Sequence, residues 1–346
     1  MNAFTRCVAG VAGLAILGVS GALAAREPFP AHGPIPYRHQ HPLYLQSLGL
    51  TPMRAVALPR GDGVVGLRME HSNIFEQFIN TTADVRIDTE QLRMTVDLAY
   101  GLPHNFTLEA EIPFVHTGGG RLDSFLQWWH SVLGVPNAGR EFFTNDQHVF
   151  RILDRPSGAE RYQVAPIPLA LGDASLRLRH HLVTETARRP AIGWFAACEF
   201  PTGKRSQGLG NGNLDYGVGL LMEKNEGRWH GYFNGGYFVS AGTPALADAI
   251  HPIQFNYVVG GEFSVSRQVA LHAQLHGGTP LLTGLGDTRW DSFPLDLMMG
   301  MSGEHPVGAH GERILWQVGL SEDLNANGPS IDVTLFGRVG WRWKGL

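Results

Sequence analysis

The chain has 346 residues, of which 17% are charged and 44 are glycine, and its formal net charge is −4. An average soluble protein is about 25% charged and about 7% glycine, so this chain is poor in charge and rich in glycine. That composition excludes a disordered tail and a coiled coil, and 27 basic against 31 acidic residues exclude a basic nucleic-acid-binding protein.

The N-terminus has the three parts of an export signal. Arg6 supplies the positive charge, residues 8–23 form an apolar run, and residues 22–24 (Ala-Leu-Ala) fit a cleavage site of small residues. We therefore expect residues 1–24 to be a signal peptide that is removed from an exported protein. Cys198 is then the only cysteine left, so no intramolecular disulfide would stabilise the mature chain.

Residues 25–60 are rich in proline and also carry bulky apolar side chains. Proline cannot donate a hydrogen bond to a β-ladder, so this segment is not a pair of strands. Its apolar content is too high for a free tail. We expect either a plug in the periplasmic mouth of the following domain or a strap along its base, with Arg38 near acidic residues of the interior. The residues assigned to the plug are Tyr37, Arg38, His39, His41 and Tyr44.

From Gly63 onward, twelve segments carry apolar or aromatic residues at every second position. A period of two predicts β-strands with two unlike faces. The predicted strands are approximately 63–72, 85–100, 106–114, 173–183, 191–200, 213–222, 229–239, 254–265, 268–277, 294–304, 313–322 and 330–343.

The connections between these segments alternate in length. Short turns are predicted at 101–105, 184–190, 223–228, 266–267 and 305–312. Longer loops rich in Gly, Pro and Asn are predicted at 73–84, 115–172, 201–212, 240–253, 278–293 and 323–329. This alternation is typical of bacterial outer-membrane barrels, which have an even number of strands, short periplasmic turns and long extracellular loops. We therefore expect residues 61–346 to form a closed, antiparallel, twelve-stranded transmembrane β-barrel in the outer membrane. No apolar run of about 18 residues follows the signal, so no transmembrane helix is predicted.

The longest loop, 115–172, is predicted to contain an amphipathic helix, because its apolar residues repeat at spacings of three and four. These residues are Leu122, Phe125, Leu126, Trp129, Val132 and Leu133. The helix could lie at the outer-leaflet surface, fold into the mouth of the barrel, or form a lid packed on its own loop.

Aromatic residues cluster near the ends of the strands, as in the aromatic girdles of membrane barrels. The girdle is assigned to Tyr100, Phe114, Trp229, Trp341 and Trp343. The expected partners are outer-membrane lipids and lipopolysaccharide. Since the last strand is aromatic, the barrel-assembly machinery is expected to recognise it.

Several motifs resemble a proteobacterial family known only as a domain of unknown function. They begin at 36–45 (Pro-Tyr-Arg-His-Gln-His-Pro-Leu-Tyr-Leu) and 49–52 (Gly-Leu-Thr-Pro). Further matches are 111–114 (Glu-Ile-Pro-Phe), 200–203 (Phe-Pro-Thr-Gly), 215–216 (Asp-Tyr) and 321–324 (Ser-Glu-Asp-Leu). The resemblance covers nearly the whole mature chain and implies an exported outer-membrane barrel, without implying an activity.

Ionisable residues predicted to face the interior sort by depth. The lower, periplasmic half is assigned Arg93, Arg177, Arg179, Arg338 and Arg342, with Asp97, Glu109 and His181. The upper half is assigned Glu70, Glu90, Glu199, Asp215, Asp296 and Asp332. Buried charges must be paired or solvated. The interior is therefore either a ladder of Arg–carboxylate pairs that fills a structural barrel, or a polar conduit that passes or binds a small, unidentified solute. A reactive site built from a carboxylate and a histidine is a third alternative.

The histidines and serines of the sequence are the candidates for a metal site or a catalytic site. His39 and His41 share a face without a third ligand, so no metal or other cofactor is predicted. An outer-membrane lipid-modifying hydrolase stays an alternative, with Ser124, His116, His130 and Ser321 near the predicted extracellular rim. None of them lies in a recognisable nucleophile motif, and no catalytic residue is assigned.

Overall fold

The structure is a computed structural model that describes residues 29–134, 142–286, 290–308, 310–325 and 331–345. Twelve strands form one closed antiparallel barrel in which the last strand, β15, pairs with β1. The barrel strands are β1 (Gly63–Ile79), β2 (Ala83–Leu102), β3 (Phe106–Gly118), β7 (Ala174–Val183), β8 (Ala191–Phe200), β9 (Asp215–Glu226), β10 (Trp229–Val239), β11 (Ile253–Ser264), β12 (Val269–Gly278), β13 (Leu295–Val307), β14 (Glu312–Asp323) and β15 (Val333–Trp343). The predicted twelve-stranded barrel is confirmed. The predicted signal peptide, residues 1–24, lies outside the described residues.

The two faces of each barrel strand differ as the alternation predicts. On β9, Tyr216, Val218 and Leu220 point outward and are 56–60% exposed, whereas Asp215 and Glu223 point inward and are buried. A sheet in a bilayer must close on itself because lipid cannot satisfy its backbone N–H and C=O groups. Closure and an apolar outer surface together fit a barrel that is solvated by lipid.

The two ends of the barrel carry different connections. At one end, which we call the turn end, hairpins join neighbouring strands, as at residues 103–105 and 227–228. The opposite end, which we call the loop end, carries the long connections, the longest being 119–173. The predicted loop at 73–84 is wrong, because β1 and β2 continue through it as a long hairpin with residues 80–82 at its tip.

Three additional strands extend the sheet at the loop end. They are β4 (Val149–Asp154), β5 (Glu160–Gln163) and β6 (Ile167–Leu171). β4 pairs with residues 83–88 of β2 and with β5, while β6 pairs with β3. These strands and the long hairpin enclose an apolar cluster that includes Ile74, Phe78, Ile152, Leu282 and Trp290. The hairpin is long because its apolar residues pack into this cluster above the barrel wall.

The predicted helix is present as α1 (Asp123–Leu133). Asn73, on the outer side of β1, donates a hydrogen bond from Nδ2 to Asp123 Oδ1 over 2.9 Å. This bond holds the start of the helix beside the outer wall. Leu126 is buried as predicted, but Val132 is 60% exposed, so the apolar stripe is not wholly covered. None of the helices in the described part of the chain is long and apolar enough to cross a membrane.

Candidate functional site

The candidate site is the barrel interior, which contains residues 29–60. We call this segment the internal loop. It begins at the turn end, where the Arg228 guanidinium lies 4.6 Å from the Phe29 ring centroid. It reaches the loop end at Tyr44, whose hydroxyl accepts a hydrogen bond from Leu281 N, and returns to the turn end, where Leu58 N bonds to Thr107 Oγ1. Both limbs of the internal loop therefore start from the same mouth of the barrel.

The first limb is held by side chains of β11 and β12. Glu262 Oε1 accepts a hydrogen bond from His32 N (2.9 Å). Glu262 Oε2 accepts two, from Gly33 N (3.1 Å) and from the Tyr232 hydroxyl (2.6 Å). The side-chain amide of Gln274 accepts from Ile35 N (2.6 Å) and donates to Ile35 O (3.1 Å). Gln274 thus replaces the backbone partner that a neighbouring strand would supply.

The charged contacts of the first limb lie nearer the loop end. Arg38 donates to Glu199 Oε2 over 3.0 Å, and both side chains are buried. His41 Nε2 lies 3.3 Å from Glu76 Oε2. His39 Nε2 lies 3.8 Å from an Asp296 carboxylate oxygen, which is too long for a hydrogen bond.

The second limb is held by side chains of β9 and β10, the strands that follow β11 around the wall. Leu48 N donates to Asp215 Oδ2 (2.9 Å), and Met53 N donates to Asn234 Oδ1 (2.7 Å). Arg54 makes two contacts to the Glu223 carboxylate, from Nε at 3.2 Å and from Nη2 at 2.5 Å. These contacts bring carboxylates and amides of β9 and β10 to the internal loop.

The sequence of the internal loop explains why it needs these partners. Six of its 32 residues are proline, which breaks regular secondary structure, so, apart from a short 3₁₀ helix at Tyr44–Gln46, most of the remaining backbone N–H groups have no ladder or helix to bond. A buried N–H without a partner is costly, and the inward polar side chains of the wall accept those hydrogen bonds. The internal loop also carries Arg38, Arg54 and Arg60 and no acidic residue. It is therefore a cationic segment that faces wall carboxylates.

A second group of charges pairs within the wall, on β1, β2, β3, β7 and β15 and at Asp62 just before β1. The ion pairs are Arg68–Glu70 (2.5 Å), Arg68–Glu111 (3.3 Å), Arg177–Glu111 (3.0 Å), Arg179–Glu109 (2.9 Å), Arg93–Glu70 (3.9 Å), Arg338–Asp97 and Arg342–Asp62 (3.8 Å). The five arginines predicted for the lower half thus each have a carboxylate neighbour. Arg177 and Arg179 also contact the internal loop, at Thr51 Oγ1 and at Arg54 O.

Little space is left between the internal loop and the wall. One cavity of about 40 Å³ is lined by residues that include His39, Tyr44 and His276. A second cavity, of about 20 Å³, lies between Arg38, Arg93 and Asp173. A buried water molecule needs roughly 10–15 Å³ of cavity volume, so these cavities accept a few waters. In this state the described interior is packed rather than open.

Asp173 lies at the loop end, in the short link between β6 and β7. The pKa of its carboxyl group is raised from 3.8 to about 7, mainly by burial; the nearby Glu199 and Asp215 contribute to the increase, and the Gly203 N–H and Arg38 oppose it. Gly203 N donates to Asp173 Oδ1 over 2.7 Å. A Cβ atom at Gly210 would lie 2.0 Å from Asp173 Oδ2, so glycine is needed there to admit the carboxylate.

The structure places most predicted interior residues on inward faces, but Glu90 is a correction. It lies three positions before the inward Arg93 on an unbroken strand, and an odd spacing puts it on the outward face. There it accepts hydrogen bonds from Arg121 N and Leu122 N, ahead of α1.

Of the girdle residues, Tyr100, Trp229 and Trp341 are strongly exposed outside the barrel. Four wall residues that contact the internal loop are not among those assigned from the sequence, although the alternation of their strands indicates that they point inward. They are Glu223, Asn234, Glu262 and Gln274.

The residues named for hydrolase chemistry do not form a nucleophile–base pair in the described part of the chain. Ser124 Oγ accepts a hydrogen bond from Asn145, and His116 Nδ1 lies 2.6 Å from the Pro168 carbonyl oxygen. The side chain of His130 lies outside the described residues. Among the residues that the structure describes, no group of three or more His, Cys, Asp or Glu could hold a metal ion.

Comparison with known proteins identifies the family. A family model described as "Protein of unknown function (DUF3187)" matches residues 13–343. The chain belongs to this family. The resemblance inferred from the motifs is therefore confirmed. No curated protein matches the chain.

Several solved structures are similar to this chain at low sequence identity. The COG4313 outer membrane channel from Pseudomonas putida F1 is 14% identical, with a TM-score of 0.50, and the match covers 85% of this chain and 100% of that one. The translocator domain of the autotransporter NalP from Neisseria meningitidis is 12% identical, with a TM-score of 0.40 and coverage of 83% and 89%. The toluene transporter TodX from P. putida is 11% identical, with a TM-score of 0.33 and coverage of 83% and 91%. The fold of this DUF3187 protein is that of an outer-membrane β-barrel.

Proposed function

We propose that the protein is a gated outer-membrane conduit for small polar solutes, and that the internal loop is the element that closes it. The turn end then faces the periplasm and the loop end faces the outside of the cell. The similarity in fold to a protein described as an outer membrane channel supports this proposal. So does the outward apolar surface of the barrel strands.

The observation that carries the proposal is the course of the internal loop. Its two limbs occupy the interior from the turn end to Tyr44 and back, and they are held there by side-chain contacts rather than by strand pairing. Individual contacts of this kind contribute only about 0.5–3 kcal/mol each. Withdrawal of the internal loop therefore breaks these hydrogen bonds and exposes its buried apolar side chains, such as Leu43, Leu48 and Met53, while the barrel hydrogen bonds persist.

The charge distribution predicts the selectivity of the open state. Withdrawal removes Arg38 and Arg54 from Glu199 and Glu223, and it removes the two backbone N–H donors from Glu262. The Arg–carboxylate pairs of the wall remain in place. The opened interior consequently gains uncompensated negative charge, and we expect it to favour cations over anions.

Planar-bilayer recordings test the proposal. The wild-type protein should be closed most of the time, and deletion of residues 29–57 should give persistent conductance with a cation-selective reversal potential in a salt gradient. In the full-length chain, Arg54→Gln should increase the open probability. Arg338→Gln is the matched control, because Arg338 pairs with Asp97 of the wall and not with the internal loop.

A folded deletion variant that does not conduct would refute the conduit. Folding is checked independently by the faster electrophoretic migration of an unheated barrel. Anion selectivity in a conducting variant would leave the conduit in place but contradict the charge argument.

A further inference from the structure

The wall contacts the internal loop largely through the backbone of the loop. Side chains of the wall accept hydrogen bonds from Leu48 N to Asp215 Oδ2 (2.9 Å), from Met53 N to Asn234 Oδ1 (2.7 Å) and from Leu58 N to Thr107 Oγ1 (2.9 Å). Arg179 of β7 donates to two carbonyl oxygens, those of Arg54 and Val56. In the first limb, Gln274 pairs with both the N–H and the C=O of Ile35. N–H and C=O groups occur in every peptide, so these contacts recognise an extended backbone rather than particular side chains.

One contact of the second limb depends on a side chain. Arg54 bonds to both oxygens of the Glu223 carboxylate, through Nε to Oε2 and through Nη2 to Oε1. The Glu223 side chain is fully buried, and its other hydrogen-bond donor is the neutral amide of Asn225 at 3.3 Å. Among the residues that the structure describes, Arg54 is the only cation paired with it. Withdrawal of the internal loop therefore leaves a carboxylate without a cation, placed to accept the two-pronged bond that a guanidinium makes and an ammonium does not.

The size and the apolar surface of the interior also suit a peptide. The barrel holds both limbs of the internal loop, so the space that they vacate is wide enough for one extended chain. Phe195 and Phe238 of the wall form an apolar cluster with Leu48 and Met53 of the second limb. A peptide in the place of this limb would use that apolar surface as well as the hydrogen-bonding groups. An inorganic cation would use the carboxylates only.

We propose that the opened interior binds short, extended peptides that contain arginine, and that the second limb occupies this peptide track in the closed state as a built-in competitor. The peptide track consists of Thr107, Arg179, Asp215, Glu223 and Asn234. Arg54 then takes the place of the arginine of the ligand. The inference rests on the proposed function, because the opened barrel is the binding state, and it names the chemical class of the solute.

Two variants test the peptide track by breaking the same ion pair from opposite sides. Arg54→Gln weakens the competitor and leaves the track intact, so it should bind a free peptide about tenfold more tightly than the wild type does. Glu223→Gln removes the same contact but also the acceptor for the arginine of the peptide, so it should bind the peptide more weakly than Arg54→Gln does. Arg338→Gln is the control and should keep the wild-type affinity, because Arg338 pairs with Asp97 of the wall.

The affinities are measured by fluorescence anisotropy with the full-length protein in detergent. The probe is a synthetic peptide with the sequence of residues 48–54 (Leu-Gly-Leu-Thr-Pro-Met-Arg), labelled at its C-terminus. A second probe carries the Arg54→Gln exchange and should bind more weakly. The migration of the unheated protein on electrophoresis checks that each variant is folded. Equal affinities of Arg54→Gln and Glu223→Gln for the first probe, or equal binding of the two probes, would overturn the proposal.

Hydrogen exchange of the wild-type protein gives a second readout that needs no variant. Excess unlabelled peptide should speed the exchange of residues 48–58, because a bound peptide keeps the second limb out of the track. Binding that leaves this exchange unchanged occurs elsewhere and would overturn the proposal. The result is separable from that of the conduit. A protein that conducts but binds neither peptide refutes only the peptide track, whereas one that binds the arginine peptide without ever conducting supports the track and refutes the conduit.

Discussion

Glu262 offers the most direct test of how the internal loop is held. Its carboxylate is buried and accepts three hydrogen bonds, from His32 N and Gly33 N of the internal loop and from the Tyr232 hydroxyl. In a Glu262→Gln variant the amide nitrogen cannot accept. At best the remaining oxygen keeps the partners Gly33 N and Tyr232, and His32 N then faces another donor.

The magnitude follows from these three bonds. A hydrogen bond to a charged group contributes about 1.5–3 kcal/mol, and a neutral one about 0.5–1.5 kcal/mol. Losing one charged bond and weakening the other two should cost about 3 kcal/mol. At 1.4 kcal/mol for each factor of ten, local opening of this part of the internal loop becomes about a hundredfold more frequent.

Hydrogen exchange measured by mass spectrometry reads this opening directly. Peptides that cover residues 29–36 should exchange about a hundredfold faster in Glu262→Gln, while peptides from β1 and β2 keep the wild-type rate. Asp97→Asn is the control, because Asp97 pairs with Arg338 and makes no contact with the internal loop. Unchanged protection of residues 29–36 in Glu262→Gln would refute the view that wall side chains hold the internal loop.

Three further predictions concern heat stability, pH and packing. A Cβ at Gly101 would lie 1.9 Å from Pro59 O, so Gly101→Ala should destabilise the barrel. The temperature at which the folded band is lost on electrophoresis should then fall. Gly231→Ala is the control and should leave this temperature unchanged, because its Cβ would have no neighbour closer than 3.9 Å. Because the pKa of Asp173 is about 7 when folded and 3.8 when free, the folded state binds its proton more tightly, so stability should fall as pH rises from about 4 to 7. Asp173→Asn should flatten that slope in a thermal-unfolding series. Trp290→Ala removes a buried ring from the apolar cluster and should cost about 3–5 kcal/mol, seen as faster proteolysis of the loop end and not of the turn end.

The strands were predictable from the sequence because lipid on one side and polar contacts on the other impose a period of two. Near the rim this contrast disappears. Ile74 and Phe78 pack into the apolar cluster above the wall, so residues 73–84 do not show the alternation that defines a membrane strand. For this reason the sequence predicts a loop where the structure has a hairpin. Glu90 was misplaced for a related reason: the backbone N–H groups ahead of α1 cover it on the outer face, where lipid was expected.

The interior was harder to predict than the wall. Alternation shows that Glu223 and Glu262 point inward, but it carries no information on what they meet there. Their partners, Arg54 and the backbone of His32 and Gly33, lie more than 160 residues away in a segment without periodicity. Composition could suggest a plug, because prolines exclude a ladder and the apolar residues exclude a free tail. The individual contacts depend on tertiary structure.

The pairing of Gly63 with Trp343 has a consequence for biogenesis. The cylinder cannot be sealed until the last strand has been synthesised, yet the segment that fills it is made first. Both limbs of that segment pass through one opening. It can therefore be inserted as a folded-back chain after the barrel has closed, with no chain end threaded through the pore and no knot formed. Assembly of the cylinder and filling of its centre can therefore be separate steps in either order.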